Sequence, residues 1–193
     1  DLAELRSRFG ALLADADVVT LSGSAPPGCS DDVYVPLIEA AKAAGRPVIL
    51  DTSGALLAAG IVAGPSVIKP NRDELSALVG TPVSDPVSVV AAARELCRRG
   101  VGWVVVSLGP DGAIAVSLDR AVLVRAQPVP AVNPVGCGDV LVAGLACGIA
   151  DGLDVPDALH EAVRIATAAA AHPGTGSFDP VYARTLSLTT HDL

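Results

Sequence analysis

The segment from Asn133 to Asp139 (NPVGCGD) has two glycines around one small residue, then an acid, and an apolar run follows directly. This order predicts a loop that turns sharply into a buried helix with Asp139 in its first turn. Backbone N–H groups at such a junction lack intrahelical partners and the helix dipole adds positive potential, so Gly136, Cys137 and Gly138 form a candidate phosphate cradle. A carboxylate there repels an anion, but it is useful if it removes a proton from a hydroxyl that attacks the phosphate. On this pattern alone, phosphoryl transfer and a plain helix start with a favourable first-turn acid stay equally open.

The elements that must position this loop alternate between strands and helices, which predicts an α/β fold with a doubly wound, mostly parallel sheet and helices on both faces. A hairpin with Asp119-Arg120 as its turn is predicted in the C-terminal half, and a polar tail after Gly176. Strands are predicted at 18–21, 47–51, 67–68, 103–107, 113–118 and 121–125. Helices are predicted at 2–14, from Ser30 to about Ala44, after Gly54, up to Val79, from Asp85 to about Arg98, from the loop to Gly152 and from Asp154 to about Ala171.

Four short polar segments each follow a predicted strand: Ser22–Ser24, Asp51–Ser53, Lys69–Asn71 and Ser107–Gly109. Ligands of such sheets bind beyond the carboxyl ends of the strands. We therefore expect the four segments to share one edge of the sheet, which we call the carboxyl edge.

Asn71 and Glu74 support two interpretations. An Asn followed three residues later by Glu is close to the capping box that starts a helix. The same pair at the carboxyl edge could hold a hydrated Mg²⁺, which prefers carboxylate, water and phosphate oxygens. The two interpretations are compatible, and the sequence leaves both open.

Composition narrows the class of protein. Of the 193 residues 51% are hydrophobic and 3% aromatic, and 13 basic against 21 acidic residues give a net charge of −8. An acidic chain argues against nucleic acid or an anionic membrane as partner, since both require a basic surface. No apolar run reaches the length of a membrane span, and no Walker, dinucleotide-binding, HExxH or GxSxG motif occurs.

The residues at the start of the chain and the cysteines give two further expectations. The four cysteines are far apart, which favours a reducing cytoplasm over a disulfide framework or a zinc site. The chain has no methionine and opens inside a helical pattern, so we expect it to be part of a longer protein.

Five segments taken together resemble the PfkB family of sugar kinases, whose fold is ribokinase-like: a three-layer αβα sandwich. The segments are Ser22–Gly28, Leu50–Gly54, Lys69–Leu75, Val105–Ala113 and Asn133–Asp139. They keep the family's order and spacing across essentially the whole chain. Within the family, the chain is most similar to the branch that holds 1-phosphofructokinase, tagatose-6-phosphate kinase and the minor 6-phosphofructokinase.

The resemblance implies a role for each matching residue, with ATP and Mg²⁺ as cofactors. Asp139 is implied to be the base that deprotonates the sugar hydroxyl, and the amides of Gly136, Cys137 and Gly138 to form the anion hole for the γ-phosphate. The remaining implied contacts are Asn71 and Glu74 with Mg²⁺ and the triphosphate, Ser107, Gly109 and Gly112 with the nucleotide, His172 with adenine, and Ser22 and Ser24 with the sugar. Cys137 and Val140 depart from the family's usual residues, but neither removes a needed group.

The implied activity is ATP-dependent phosphorylation of a phosphorylated ketohexose. An enzyme acting on an unphosphorylated substrate, like ribokinase or a nucleoside kinase, and a non-catalytic nucleotide-binding module remain as alternatives. The resemblance also implies that residues 1–193 are the nucleotide-binding and catalytic portion of one kinase domain. The family's N-terminal substrate and lid portion, through which a homodimer often forms, is not in this sequence, so we expect the chain alone to lack full activity.

Overall fold

The computed structural model describes residues 2–193; Asp1, the first residue of the predicted span 1–193, lies outside the described residues. The helices are α1 (Leu2–Leu12), α2 (Val35–Ala43), α3 (Gly54–Val62), α4 (Arg72–Val79), α5 (Pro86–Arg98), α6 (Cys137–Ala150), α7 (Val155–Ala170) and α8 (Pro180–Thr185). The strands are β1 (Val19–Ser22), β2 (Val48–Asp51), β3 (Val67–Ile68), β4 (Trp103–Ser107), β5 (Ala113–Val116), β6 (Ala121–Ala126) and β7 (Leu188–Asp192).

The described strands form one seven-stranded sheet whose order follows the chain from β1 to β7. Neighbours from β1 to β4 are parallel, and neighbours from β4 to β7 are antiparallel. Strands β1 to β4 and β6 therefore run in one direction, and β5 and β7 run against them. The predicted α/β fold with a hairpin in the C-terminal half is confirmed. Five of the seven described strands run in one direction, but three neighbour pairs are parallel and three are antiparallel, so the sheet is mixed.

Helices cover both faces of the sheet because side chains alternate along each strand. In β2, Leu50 packs toward the cluster that contains Leu57 of α3 and Leu96 of α5, whereas Ile49 packs toward Leu145 of α6. Both strand residues are fully buried. These two cores give the three layers of the predicted sandwich.

The start of α2 differs from the prediction. The sequence favoured Ser30 as the N-cap, but the helix begins at Val35 and its N-cap is Tyr34, with no capping side chain. Residues 31–34 form turns, and Val33 N–H donates to Ser30 C=O at 3.1 Å. Pro36 lies in the first helical turn, where its missing N–H costs nothing, and this position fits the later start.

The C-terminal third holds two more differences. The hairpin loop spans residues 117–120 rather than the Asp119-Arg120 dipeptide alone, and Ser117 N–H donates to Arg120 C=O at 2.8 Å. The predicted polar tail forms helix α8 and edge strand β7, neither of which the sequence predicted. Most β7 side chains are exposed, so hydrophobic alternation did not reveal the strand.

Helix α6, which carries the predicted phosphate loop at its start, is held against α7 by small residues. A Cβ on Gly144 would lie 2.7 Å from the Ala162 Cα, and one on Gly148 would lie 2.7 Å from the Ala158 Cβ. The helix backbones therefore approach closely. None of the helices in residues 2–193 is both long and apolar enough to cross a bilayer.

Candidate active site

The four polar segments meet at the carboxyl edge, as predicted. Backbone hydrogen bonds join each segment to the next: Gly23 N–H to Asp51 C=O (2.9 Å), Lys69 N–H to Leu50 C=O (3.2 Å) and Ser107 N–H to Pro70 C=O (3.1 Å). Asn71 and Ser107 also form an isolated parallel bridge that extends the pairing of β3 and β4. The loops after four neighbouring strands thus form one continuous surface.

The loop before α6 has the sharp turn that its glycines predict. Gly136 is the N-cap with φ of 83°, a left-handed conformation that favours glycine. A Cβ at this position would also lie only 2.8 Å from the Gly176 nitrogen. Residue 136 therefore has to be glycine, both for its backbone angle and for the close approach of the second loop.

The first turn of α6 presents free amides. Within the described chain, the N–H groups of Gly136, Gly138 and Asp139 donate to no protein acceptor, whereas Cys137 N–H donates weakly to Pro134 C=O at 3.3 Å. The first helical bond runs from Val140 N–H to Gly136 C=O at 3.0 Å. The N–H groups of Gly136 and Gly138 are therefore available to an anion, whereas the N–H of Cys137 points partly toward Pro134 in its own loop.

A buried lysine lies beside these amides. Lys69 is 7% exposed, and its Nζ is 3.1 Å from Asp51 Oδ1. A Cβ on Gly138 would lie 3.6 Å from the same Nζ, so the ammonium group borders the glycine loop. An anion in this loop would meet both helix-terminal amides and a desolvated cation.

Acidic groups surround that lysine. Burial raises the pKa of Asp51, nearby Lys69 opposes this by lowering it, and the charges of Glu74 and Asp139 raise it further. Asp139 directly follows Gly138, whose Cβ position lies 3.6 Å from Lys69 Nζ, so Asp139 is at the carboxyl edge with the other charged residues. The Asp139 side chain is exposed and accepts no hydrogen bond from residues 2–193, so its oxygens are open to a ligand.

The capping-box interpretation of Asn71 and Glu74 is confirmed. Asn71 Oδ1 accepts from Glu74 N–H and Glu74 Oε2 accepts from Asn71 N–H, each at 2.9 Å. Each side chain keeps further acceptor capacity, because a carboxylate has two oxygens and an amide oxygen has two lone pairs. No cluster of three or more metal-ligating acids, cysteines or histidines occurs in the described residues. The oxygens of Asn71 and Glu74 fit a Mg²⁺ that is held mainly by water and phosphate oxygens, with one carboxylate from the protein.

The predicted nucleotide loop follows β4. Gly112 has φ of 93°, and a Cβ there would clash with Val124 O and approach the Arg125 Cα at 3.0 Å, so only glycine fits. Arg72, the first residue of α4, forms an ion pair with Asp111 of this loop at 3.2 Å. Ser107 ends β4 and Gly109 lies in the loop that follows, and the ion pair connects this loop to the Asn71–Glu74 turn.

His172 lines an apolar cavity of about 420 Å³, a volume within the usual range of about 300–1,000 Å³ for small-molecule sites. Its Nδ1 accepts from Gly174 N–H at 3.0 Å, so a neutral ring carries its proton on Nε2. The other lining residues are Pro130, Val132, Ala168, Ala171, Asp179 and Tyr182. The surface of this cavity is mostly apolar.

The predicted sugar-facing loop, with Ser22 and Ser24, is anchored by two hydroxyls. Thr52 Oγ1 donates to Gly23 C=O at 2.7 Å, and Tyr34 Oη donates to the same carbonyl at 3.1 Å. Thr52 is buried, and burial raises the pKa of Tyr34. The serines therefore sit on a fixed loop at the carboxyl edge.

The structure brings the predicted site residues to one side of the sheet, and their roles stay predictions. The sequence did not assign a role to Lys69, although it is one of only two lysines in the chain and begins a segment at the carboxyl edge. The signal that could have identified Lys69 is its position as a basic residue directly after a buried strand.

The fold and the sequence together define the class of protein. A model of the pfkB family carbohydrate kinases matches residues 2–181. The chain therefore belongs to the pfkB family, which confirms the family predicted from the motifs.

Particular relatives sharpen this placement. The chain is 44% identical to the 1-phosphofructokinase of Xanthomonas campestris pv. campestris over 154 residues, which cover 78% of this chain and 48% of that protein. It is 41% identical to the 1-phosphofructokinase of Rhodobacter capsulatus over 169 residues, or 87% of this chain and 52% of that protein. The crystal structure of phosphofructokinase-2 from Escherichia coli aligns with a TM-score of 0.84 at 31% identity, over 93% of this chain and 60% of that one. The chain thus spans about half the length of the curated relatives.

Proposed function

We propose that the protein transfers the γ-phosphoryl group of ATP to a hydroxyl of a phosphorylated ketohexose. Fructose 1-phosphate is the first candidate acceptor, because both curated relatives are called 1-phosphofructokinase. Fructose 6-phosphate and tagatose 6-phosphate are the others. The observation that carries the proposal is the meeting of free α6 amides, the Lys69 ammonium and the exposed Asp139 carboxylate at one edge.

Each residue has a chemical part in this reaction. The amides of Gly136 and Gly138 hold the γ-phosphate oxygens together with Lys69, and they stabilise the charge that builds up during transfer. Asp139 accepts the proton of the attacking sugar hydroxyl. Cys137 contributes its amide only if the weak bond to Pro134 opens.

The nucleotide lies across two loops in this proposal. Adenine occupies the cavity beside His172, and the ribose and phosphates pass along the loop that contains Ser107, Gly109 and Gly112. Glu74, with Asn71 beside it, would hold a hydrated Mg²⁺, and the charge of that ion would offset the charge of the phosphates. Ser22 and Ser24 face the sugar.

We further propose that this chain is the nucleotide-binding and catalytic portion of a longer kinase domain. The support is that it covers 48% and 52% of the two relatives. The remainder would supply the substrate contacts and the lid, together with any dimer interface.

The test is an ADP-release assay of the protein as its gene encodes it, with each of the three ketohexose phosphates and with unphosphorylated fructose and ribose as controls. We expect kcat/KM to be at least about tenfold higher for one phosphorylated sugar, since a charged hydrogen bond contributes about 1.5–3 kcal/mol. A preference for an unphosphorylated sugar would instead support the ribokinase-like alternative. ATP binding without turnover on any sugar would support the non-catalytic module.

A further inference from the structure

We infer that Asn133 is a positioning residue that sets the shape of the phosphate cradle by tying it to the loop of residues 172–177. This inference rests on the proposed function, because it concerns the same γ-phosphate site. Asn133 is half-buried and lies three residues before Gly136.

The Asn133 side chain uses both ends of its amide. Its Oδ1 accepts from Val135 N–H at 3.0 Å, within the cradle loop itself. Its Nδ2 donates to Pro173 C=O at 3.1 Å and to Thr175 Oγ1 at 3.3 Å, some 40 and 42 residues further along the chain. Because Val135 N–H can only donate, the amide orientation follows from the contacts: oxygen toward Val135 and nitrogen toward the second loop.

The main chain reinforces this link. The N–H groups of Val132 and Asn133 both donate to Ala170 C=O at the end of α7, at 2.8 and 3.1 Å. Three residues later, Gly136 approaches Gly176 so closely that a Cβ would lie 2.8 Å from its nitrogen. The segment of residues 133–136 therefore contacts the 172–177 loop at both of its ends, through the Asn133 side chain and through Gly136.

The link joins two parts of the proposed site. Gly136 and Gly138 present the free amides to the γ-phosphate, and His172 lines the cavity proposed for adenine. If the side-chain hydrogen bonds of Asn133 are lost, the loop of residues 133–138 is free to shift relative to the loop of residues 172–177. A shift of about 1 Å at a reacting group can cost about 100-fold in rate.

Asn133→Asp is the most informative variant, because it keeps the side-chain volume. The carboxylate retains the acceptor for Val135 N–H, but its second oxygen now faces the Pro173 carbonyl and the Thr175 hydroxyl. The carboxylate oxygen repels the Pro173 carbonyl oxygen, and it can only accept a hydrogen bond from the Thr175 hydroxyl. Asn133→Ala removes all three side-chain bonds, and Thr175→Val removes only one.

Gln127→Glu is the matched control. It makes the same amide-to-carboxylate exchange on an exposed residue whose Oε1 accepts from Ser187 N–H at 3.2 Å. That oxygen is kept in the variant, so we expect its kinetics to equal those of the wild type.

The experiment measures steady-state kinetics and, separately, the dissociation constants of ADP and of the non-hydrolysable ATP analogue AMP-PNP. For Asn133→Asp and Asn133→Ala we expect kcat to fall about 100-fold, with the sugar KM changed less than about threefold. We expect the analogue to lose about tenfold more affinity than ADP, because only the analogue reaches the cradle. For Thr175→Val we expect kcat and the affinity for AMP-PNP to lie between those of the Asn133 variants and those of the wild type.

If Asn133 only fills space, Asn133→Asp will have the kinetics of the wild type and only Asn133→Ala will be impaired. That result would overturn the inference. Equal loss of ADP and AMP-PNP affinity would also contradict it. Because the binding readout needs no turnover, a wild-type protein that binds nucleotide but phosphorylates no sugar would refute the proposed function and still test this inference. A wild-type protein that binds neither nucleotide would refute both.

Discussion

At the scale of residues, the site depends on one buried cation among several acids. Lys69 is held by Asp51, and the charges of Glu74 and Asp139 act on the same carboxylate. Removing one partner of a buried ion pair is costly because the other charge stays desolvated and uncompensated. The pair therefore holds the ammonium group beside the glycine loop.

Replacing Lys69 with Met tests this pair. We expect the free energy of unfolding at neutral pH to fall by about 3 kcal/mol. In the variant, burial raises the pKa of Asp51 with no cation to oppose it. A raised pKa in the folded state gives stability that is present at low pH and lost as pH rises through that pKa, so the deficit should shrink as pH falls toward the ordinary value of 3.8.

Urea denaturation at about pH 7.5 and about pH 5 measures this deficit relative to the wild type. Lys42→Met is the matched control, since Lys42 is exposed and donates to the Ala63 carbonyl instead of pairing with an acid. A Lys69→Met deficit that is the same at both pH values would show that the charge on Asp51 does not cause it.

The sequence predicted some residues of the site and missed others for a physical reason. The glycines around Cys137, the acid at 139 and the Asn71–Glu74 spacing are local signals, because the backbone geometry they serve is local. Lys69 and Asn133 depend on partners 18 and 40 residues away in the chain, Asp51 and Pro173. No local pattern contains those contacts.

At the scale of elements, α6 carries the cradle and its packing on α7 sets its position. Gly148→Ala places a Cβ 2.7 Å from the Ala158 Cβ and 2.9 Å from its Cα. We expect the variant to lose about 1–2 kcal/mol of unfolding free energy, because overpacking outweighs the better helix propensity of alanine.

Thermal or urea unfolding measures this effect, with Gly10→Ala in α1 as the control. Gly10 is helical and a Cβ there meets nothing within 4 Å, so propensity alone should stabilise that variant by up to about 1 kcal/mol. If both substitutions raise stability equally, the α6–α7 contact is looser than the structure indicates.

The elements predicted well are those with buried, continuous apolar runs, such as β2 and β4. The errors fall where burial is low or where turns compete with a helix. Strand β7 is mostly exposed and pairs with β6 through its backbone, and the turns of residues 31–34 delay α2. Backbone pairing at a sheet edge leaves little trace in the pattern of side chains.

At the scale of the whole molecule, the alternation of strands and helices was enough to predict the layers, and motifs at five places were enough to predict the family. Each motif lies in a loop that follows a strand or starts a helix, and the sheet brings those loops to one edge. The matched segments cover 48% and 52% of the two 1-phosphofructokinase relatives.

Turnover of the Asp139→Asn variant tests the central claim most directly, with kcat and the ATP dissociation constant measured beside those of the wild type. Asparagine keeps the size of the side chain but cannot take a proton from the sugar hydroxyl. We predict that kcat falls by about 10²–10⁴-fold while ATP binding is retained. Comparable kcat values in the two proteins would contradict the role of Asp139 as the base and the phosphotransfer mechanism built on it.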